Sequence, residues 1–138
     1  MKEYVILKVN SIPDWNAVPV LAVDTILWEP DCGIRMTQQL CYDETALYVR
    51  QRAWEANIRA EYSAPLSPVH EDSCMEFFFA FGADGCYFNF EINPNACLEL
   101  GFGLDRKNRV RLCHKAELET FRLRCVRTTD GWVAEYRL

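Results

Sequence analysis

Two stretches of the sequence carry residue types that could do chemistry together. In 87–93, Tyr87, Asn89, Glu91 and Asn93 alternate with Phe88, Phe90 and Ile92. A period of two sends these sets to opposite faces of a strand. In 74–79 the same alternation sets Cys74, Glu76 and Phe78 against Met75, Phe77 and Phe79. If the apolar sets share a core, Glu76 falls on the face of Asn89 and Glu91. Trp54, Arg50 and Arg52, from a third alternating stretch, are then within reach of that face. Aromatic, amide, carboxylate and guanidinium groups on one sheet face suit a sugar. The ring covers the apolar C–H face of a pyranose, and charged groups hold its hydroxyls through stronger hydrogen bonds. Such alternation is also how a solvated sheet face ordinarily looks, and the pattern alone favours that blander reading.

Other chemistry is weaker. Glu76 and Glu91 on paired strands would stand about 5 Å apart if directly opposed, near the separation used by retaining glycosidases. A hydrolase is therefore the competing class. Against it, a sheet face is shallow, and Arg59 or Arg106 can simply neutralise the pair. His70 and His114 are lone histidines without the spacing of a tetrahedral metal site. Cys74 has no basic neighbour to activate its thiol. The basic residues from Arg106 to Arg127 alternate in the manner of a solvated strand rather than a nucleic-acid site.

These groups need strands to hold them, and the sequence is rich in strand signals. Ala83-Asp84-Gly85 turns 73–81 back into 86–92, a strong hairpin signal. A second hairpin is expected around Asp130-Gly131, joining 122–127 to 132–138. Further short strands are read at 4–9, 26–29, 40–42, 46–54 and 109–114, with a helical turn at 116–120. Residues 63–68 hold two prolines and read as a loop, and Gly101 and Gly103 punctuate another. The expected fold is an all-β antiparallel β-sandwich, jelly-roll-like.

At 138 residues, half of them hydrophobic, the chain suits one domain over 1–138. The strongly apolar runs, 18–23 and 74–81, are far shorter than the roughly 20 residues of a membrane span. A net charge of -5 argues against a nucleic-acid partner. The seven cysteines are an odd number with no C-x-x-C pair, and several, Cys74 and Cys125 among them, sit in apolar contexts where cysteine behaves as a small core hydrophobe. With no visible signal peptide they point to a cytoplasmic setting. The last residues, 132–138, read as a strand with nothing after it. The expectation is a C-terminally incomplete domain, or one whose open sheet edge is covered by another chain.

The run Val69-His70-Glu71-Asp72-Ser73-Cys74-Met75-Glu76-Phe77-Phe78-Phe79 resembles the central block of family-9 carbohydrate-binding modules and their relatives in the DOMON-like sandwich superfamily. So does Tyr87-Phe88-Asn89-Phe90-Glu91-Ile92-Asn93-Pro94, followed by Gly101, Arg106 and Arg109. Upstream, Tyr42-Asp43, Leu47-Tyr48-Val49, Glu55 and Ile58-Arg59-Ala60 fall in the order of that family's early strands. The resemblance covers roughly residues 12–138. It implies a non-catalytic β-sandwich that binds mono- or oligosaccharides between aromatic side chains with a polar rim. The ligand-binding residues it implies are Trp54, Glu55, Arg59, Glu76, Asn89, Glu91 and Asn93. Some such modules carry structural calcium, although no Asp-rich run here resembles a calcium loop. No other cofactor is implied. The alternative outside this class is an interaction domain whose polar face meets a second domain.

Overall fold

The computed structural model describes residues 3–27, 33–112 and 119–138. Trp28, Cys32, Cys113 and His114, most of the helical turn expected at 116–120, and half of the strand expected at 26–29 lie outside them. The chain divides into two compact units, Met1–Asn57 with Phe121–Leu138, and Ile58–Thr120.

The first unit is a six-stranded sheet. Its strands are β1 (Leu7–Lys8), β2 (Leu21–Val23), β3 (Arg35–Tyr42), β4 (Leu47–Trp54), β9 (Arg124–Thr128) and β10 (Gly131–Arg137). They run in the order β1-β3-β4-β10-β9, with β2 also on β3. Among the described residues, the one parallel pairing of this sheet is β1 on β3. The alternation read for 46–54 holds: Val49, Gln51 and Ala53 are buried. β3 is longer than expected, because its inward positions include Gln38 as well as Leu40. Gln51 Nε2 donates to Gln38 Oε1 at 3.2 Å, and the Tyr136 hydroxyl donates to Gln51 Oε1 at 3.1 Å. A buried amide is tolerated here because its bonds are made inside the sheet. The strand expected at 132–138 is internal to this sheet, hydrogen-bonded to β4 on one side and β9 on the other.

The second unit is a four-stranded antiparallel sheet, β5-β6-β7-β8, built from Met75–Phe79, Tyr87–Ile92, Leu98–Gly103 and Val110–Leu112. Met75, Phe90, Ile92, Leu98 and Leu100 are buried on one face. Phe79 stacks on Phe88 at 4.9 Å between ring centroids, and Phe88 packs on Phe102 at 4.5 Å. The expected hairpin is present, with Gly85 at φ 81 in its turn. β7 corrects the sequence reading, which made Gly101 and Gly103 loop residues.

The loop at 63–68 leads into a 3-10 turn, Val69–Glu71. Beside it, Asp72 has a fully buried side chain. Its carboxylate accepts hydrogen bonds from the backbone N–H groups of Glu61 and Tyr62 and from Asn93 Nδ2. Burial pushes this carboxyl up, but these bonds and the Arg59 charge outweigh it and hold it below its ordinary value. Asp72→Ala is expected to cost roughly 2–3 kcal/mol, since it strands two amides, measured by urea unfolding. Because the folded-state pKa is lowered, the wild-type advantage is full above the ordinary carboxylate range. It disappears as pH falls through the folded value.

Candidate functional site

The register of the second sheet builds the site. Glu76 pairs with Glu91, and Glu91 with Glu99, so three carboxylates form a row across β5, β6 and β7. The next row is Phe78, Asn89, Gly101 and Arg111. Glu76 is exposed, whereas Asn89, Glu91 and Glu99 are only 1%, 5% and 1% exposed.

Two glycines let an arginine cross this face. A Cβ at Gly101 would lie 2.7 Å from Arg109 Cδ, and one at Gly103 would lie 2.7 Å from Arg109 Cα. Arg109 therefore lies over β7, and its Nη2 stands 3.6 Å from both Glu91 Oε1 and Glu99 Oε1. Arg111 Nη2 stands 2.9 Å from Glu99 Oε1. Asn89 Nδ2 donates to Glu91 Oε1 at 2.5 Å. From the 3-10 turn, His70 Nδ1 comes to 3.9 Å from Glu91 Oε2. Four acceptor atoms of this face have no hydrogen-bond partner although buried, Asn89 Oδ1, Glu91 Oε2 and both carboxylate oxygens of Glu99, of which Oε1 is ion-paired with Arg111.

Partial desolvation and then the Glu91 charge raise the Glu76 carboxyl, opposed by Arg109, His70 and Arg106. Glu76 is open to solvent, so screening makes this a statement of direction only. Burial also pushes the Cys74 thiol far up, which agrees with its reading as an inert thiol.

Some expected site residues have other work. Asn93 Nδ2 donates to Tyr62 O and Asp72 Oδ2, while its Oδ1 accepts from the amides of Asn95 and Cys97. It ties the β6–β7 connection together. The backbone of Arg59 bonds Ser73, and its guanidinium lies 3.3 Å from Glu61 and 3.7 Å from Asp72. In the first unit, Glu55 Oε1 accepts from the indole N–H of Trp132 at 2.7 Å.

Trp54 has the Arg52 guanidinium 4.4 Å from its ring centroid, a cation–π contact. It lines a mostly apolar cavity of about 780 Å³ with Ala22, Ile26, Ile34, Arg35 and Met36. Arg50 and Arg52 are engaged within this unit, with Glu135 and Asp130. The face of the second sheet thus joins Glu76, Asn89 and Glu91 as expected. It adds Glu99, Arg109, Arg111 and His70, which sequence reasoning missed. The alternation of Leu98, Leu100 and Phe102 with Glu99, Gly101 and Gly103 was the signal available.

Among the described residues, His70, Glu91 and Glu99 form one group whose ligand atoms lie within 4.8 Å of one another, and Cys74, Glu76 and Glu91 form another. Calcium takes six to eight oxygens. Neither group supplies that number, and guanidinium groups already stand against Glu91 and Glu99. These two groups do not fit calcium.

Two mostly antiparallel sheets make the described residues an all-β fold of the β-sandwich class. The family model of carbohydrate-binding family 9 matches residues 8–128, and the chain belongs to that family. Its structure is similar to that of a candidate carbohydrate-binding protein from Bacteroides uniformis ATCC 8492. There the TM-score is 0.80 at 20% identity, covering 96% of this chain and 70% of the other. It is also similar to a family 9 carbohydrate-binding module from Caldicellulosiruptor kristjanssonii in complex with cellotriose. There the TM-score is 0.63 at 14% identity, covering 96% of this chain and 65% of the other. This chain therefore spans less than two thirds of the second structure's length. At such identities the likeness gives the fold, an all-β, mostly antiparallel two-sheet β-sandwich. No curated protein matches the chain in sequence.

Proposed function

We propose that the chain is a non-catalytic carbohydrate-binding module whose ligand, a mono- or oligosaccharide, lies on the polar face of β5–β8. The observation that carries this reading is the set of buried acceptors, Asn89 Oδ1 and Glu91 Oε2 above all, that accept no bond from the protein. A buried polar atom left unbonded is costly, and sugar hydroxyls are donors of the right kind. Arg109 supplies the complementary donor to hydroxyl oxygens. Family membership supports the same conclusion, and the relative solved with cellotriose makes β-glucan fragments a sensible first ligand set.

The test is calorimetric titration with glucose, xylose, cellobiose and xylobiose. At least one is expected to bind, with affinity reduced about tenfold or more in Glu91→Gln and Asn89→Leu. Trp54→Ala is titrated alongside, because the family resemblance implies Trp54, half-buried here, as a ligand-binding residue. A flat response to every sugar would overturn the reading and favour an interaction domain.

One observation favours a second reading. Glu76 and Glu91 are direct cross-strand partners, at the spacing retaining glycosidases use. Turnover of aryl glycosides that disappears in Glu76→Gln would establish it in place of binding alone.

A further inference from the structure

The polar face of the second unit has an aromatic end. Phe78 is the direct cross-strand partner of Asn89, and Tyr87, two residues before Asn89 on β6, shares that face. The two rings meet at 5.9 Å between centroids, inclined by 42°. Phe78 is nevertheless 54% exposed. The other phenylalanines of β5, Phe77 and Phe79, stack on each other at 5.4 Å on the opposite face and are partly buried. A ring turned to the polar side forfeits much of the burial that those two obtain. Directly across from it Asn89 is only 1% exposed, and its Oδ1 has no hydrogen-bond partner. Glu91 Oε2, two residues further along the same face, is in the same condition. An exposed aromatic ring thus stands beside buried acceptors.

We propose that Phe78, braced by Tyr87, is the stacking platform against which this face holds the C–H side of a pyranose. The proposal rests on the reading of the face as a sugar site. Strand side chains stand roughly perpendicular to their sheet, so the Phe78 ring forms a wall rather than a floor. A pyranose laid against that wall stands edge-on to the sheet. Its hydroxyl edge then points down at Asn89 Oδ1, about 5 Å across the strand pair, and at Glu91 Oε2 beyond it. Tyr87 and Glu91 lie two residues to either side of Asn89, so Tyr87 supports Phe78 from the end remote from Glu91. The side of Phe78 left open is the one toward the acceptors. Ring and acceptors together meet the two needs of a sugar, an apolar surface for its C–H groups and acceptors for its hydroxyl protons.

The experiment is titration of the whole chain with glucose, xylose, cellobiose and xylobiose, repeated on Phe78→Leu and Phe78→Trp with Glu91→Gln as the reference. Leucine keeps apolar bulk without a π face, and tryptophan enlarges that face. For a sugar that the wild type binds, Phe78→Leu is expected to weaken affinity about tenfold. Phe78→Trp is expected to match or exceed the wild type. In proton NMR, the ring current is expected to move the sugar C–H resonances upfield with the wild type and Phe78→Trp but not with Phe78→Leu. Thermal midpoints are expected to stay level, because Phe78 is exposed. A loss in Phe78→Leu that comes with a lowered midpoint and is not restored by tryptophan assigns the ring to the fold and overturns the proposal. Wild-type affinity in Phe78→Leu, with Glu91→Gln still weakened, overturns the platform and leaves the sugar-site reading standing. Binding of no sugar by the wild type overturns both.

Discussion

Gly131→Ala is expected to lose roughly 3–4 kcal/mol of stability, one of the largest effects any single methyl group could have in this chain. Gly131 pairs with Trp54 at the start of β10. A Cβ there would collide with the Ala53 carbonyl oxygen and lie 2.9 Å from its carbon and 3.0 Å from Trp54 Cα. All three obstacles are backbone, so no rotamer change relieves the overlap, and β10 must move away from β4. That displacement breaks the hydrogen bonds that hold the most buried strand of the first unit. It also disturbs the Trp132 indole on Glu55. The control is Gly82→Ala, where the nearest atom is the flexible Asp84 side chain at 3.6 Å. Urea midpoints of the two variants are expected to fall steeply for Gly131 and barely move for Gly82. Similar midpoints would mean that the close approach of β4 and β10 is not a constraint.

Arg109→Met is the second. The Arg109 side chain is only 11% exposed and stands over two carboxylates that are 7% and 1% exposed. Methionine keeps the aliphatic bulk that Gly101 and Gly103 accommodate but removes the charge. The Glu91 carboxylate is then buried with a single amide donor, and leaving a buried charge without its partner costs about 3 kcal/mol or more. Arg111→Met is expected to cost less, because the Arg111 side chain is half exposed and Arg109 still faces Glu99. Adding Glu91→Gln to Arg109→Met is expected to recover part of the loss. The double-mutant cycle measures that coupling directly. Simple additivity of the two changes would show that the guanidinium packs over the face without neutralising it.

The two halves of the site differ in how far they could be read from the residues. Glu76, Asn89 and Glu91 sit in strands of strict alternation joined by an Asp-Gly turn, so face and register follow from period and turn geometry. Glu99 lies in an alternating run too, but the glycines beside it hid the strand, and Arg109 could not be recovered from period at all. Glycine usually marks a loop, yet Gly101 and Gly103 are strand residues whose missing side chains make room for Arg109. Short-range patterns cannot anticipate an arginine crossing a neighbouring strand. β3 was underestimated for a related reason. Gln38 breaks the apolar rhythm but is buried through its bond to Gln51, a partner 13 positions away. Asn93 and Glu55 carry polar groups of the kind ligands use, and only coordinates show those groups bonded to Asp72 and Trp132.

The strand order of the first sheet also has a kinetic meaning. Its middle pairing, β4 with β10, joins Ala53 to Trp132 and Val49 to Tyr136, so a very long loop must close before the sheet can zip. Every pairing in the second unit instead joins neighbours in sequence, β5 to β6, β6 to β7 and β7 to β8. Loop closure of the local kind is fast, and non-local pairing is slow. The segment that carries the candidate site is thus expected to acquire its sheet first, during synthesis. The first half of the chain must wait, with β4 unpaired on one edge, for β10 to be made. Any delay in producing β10 leaves β4 exposed as a template for pairing with another copy.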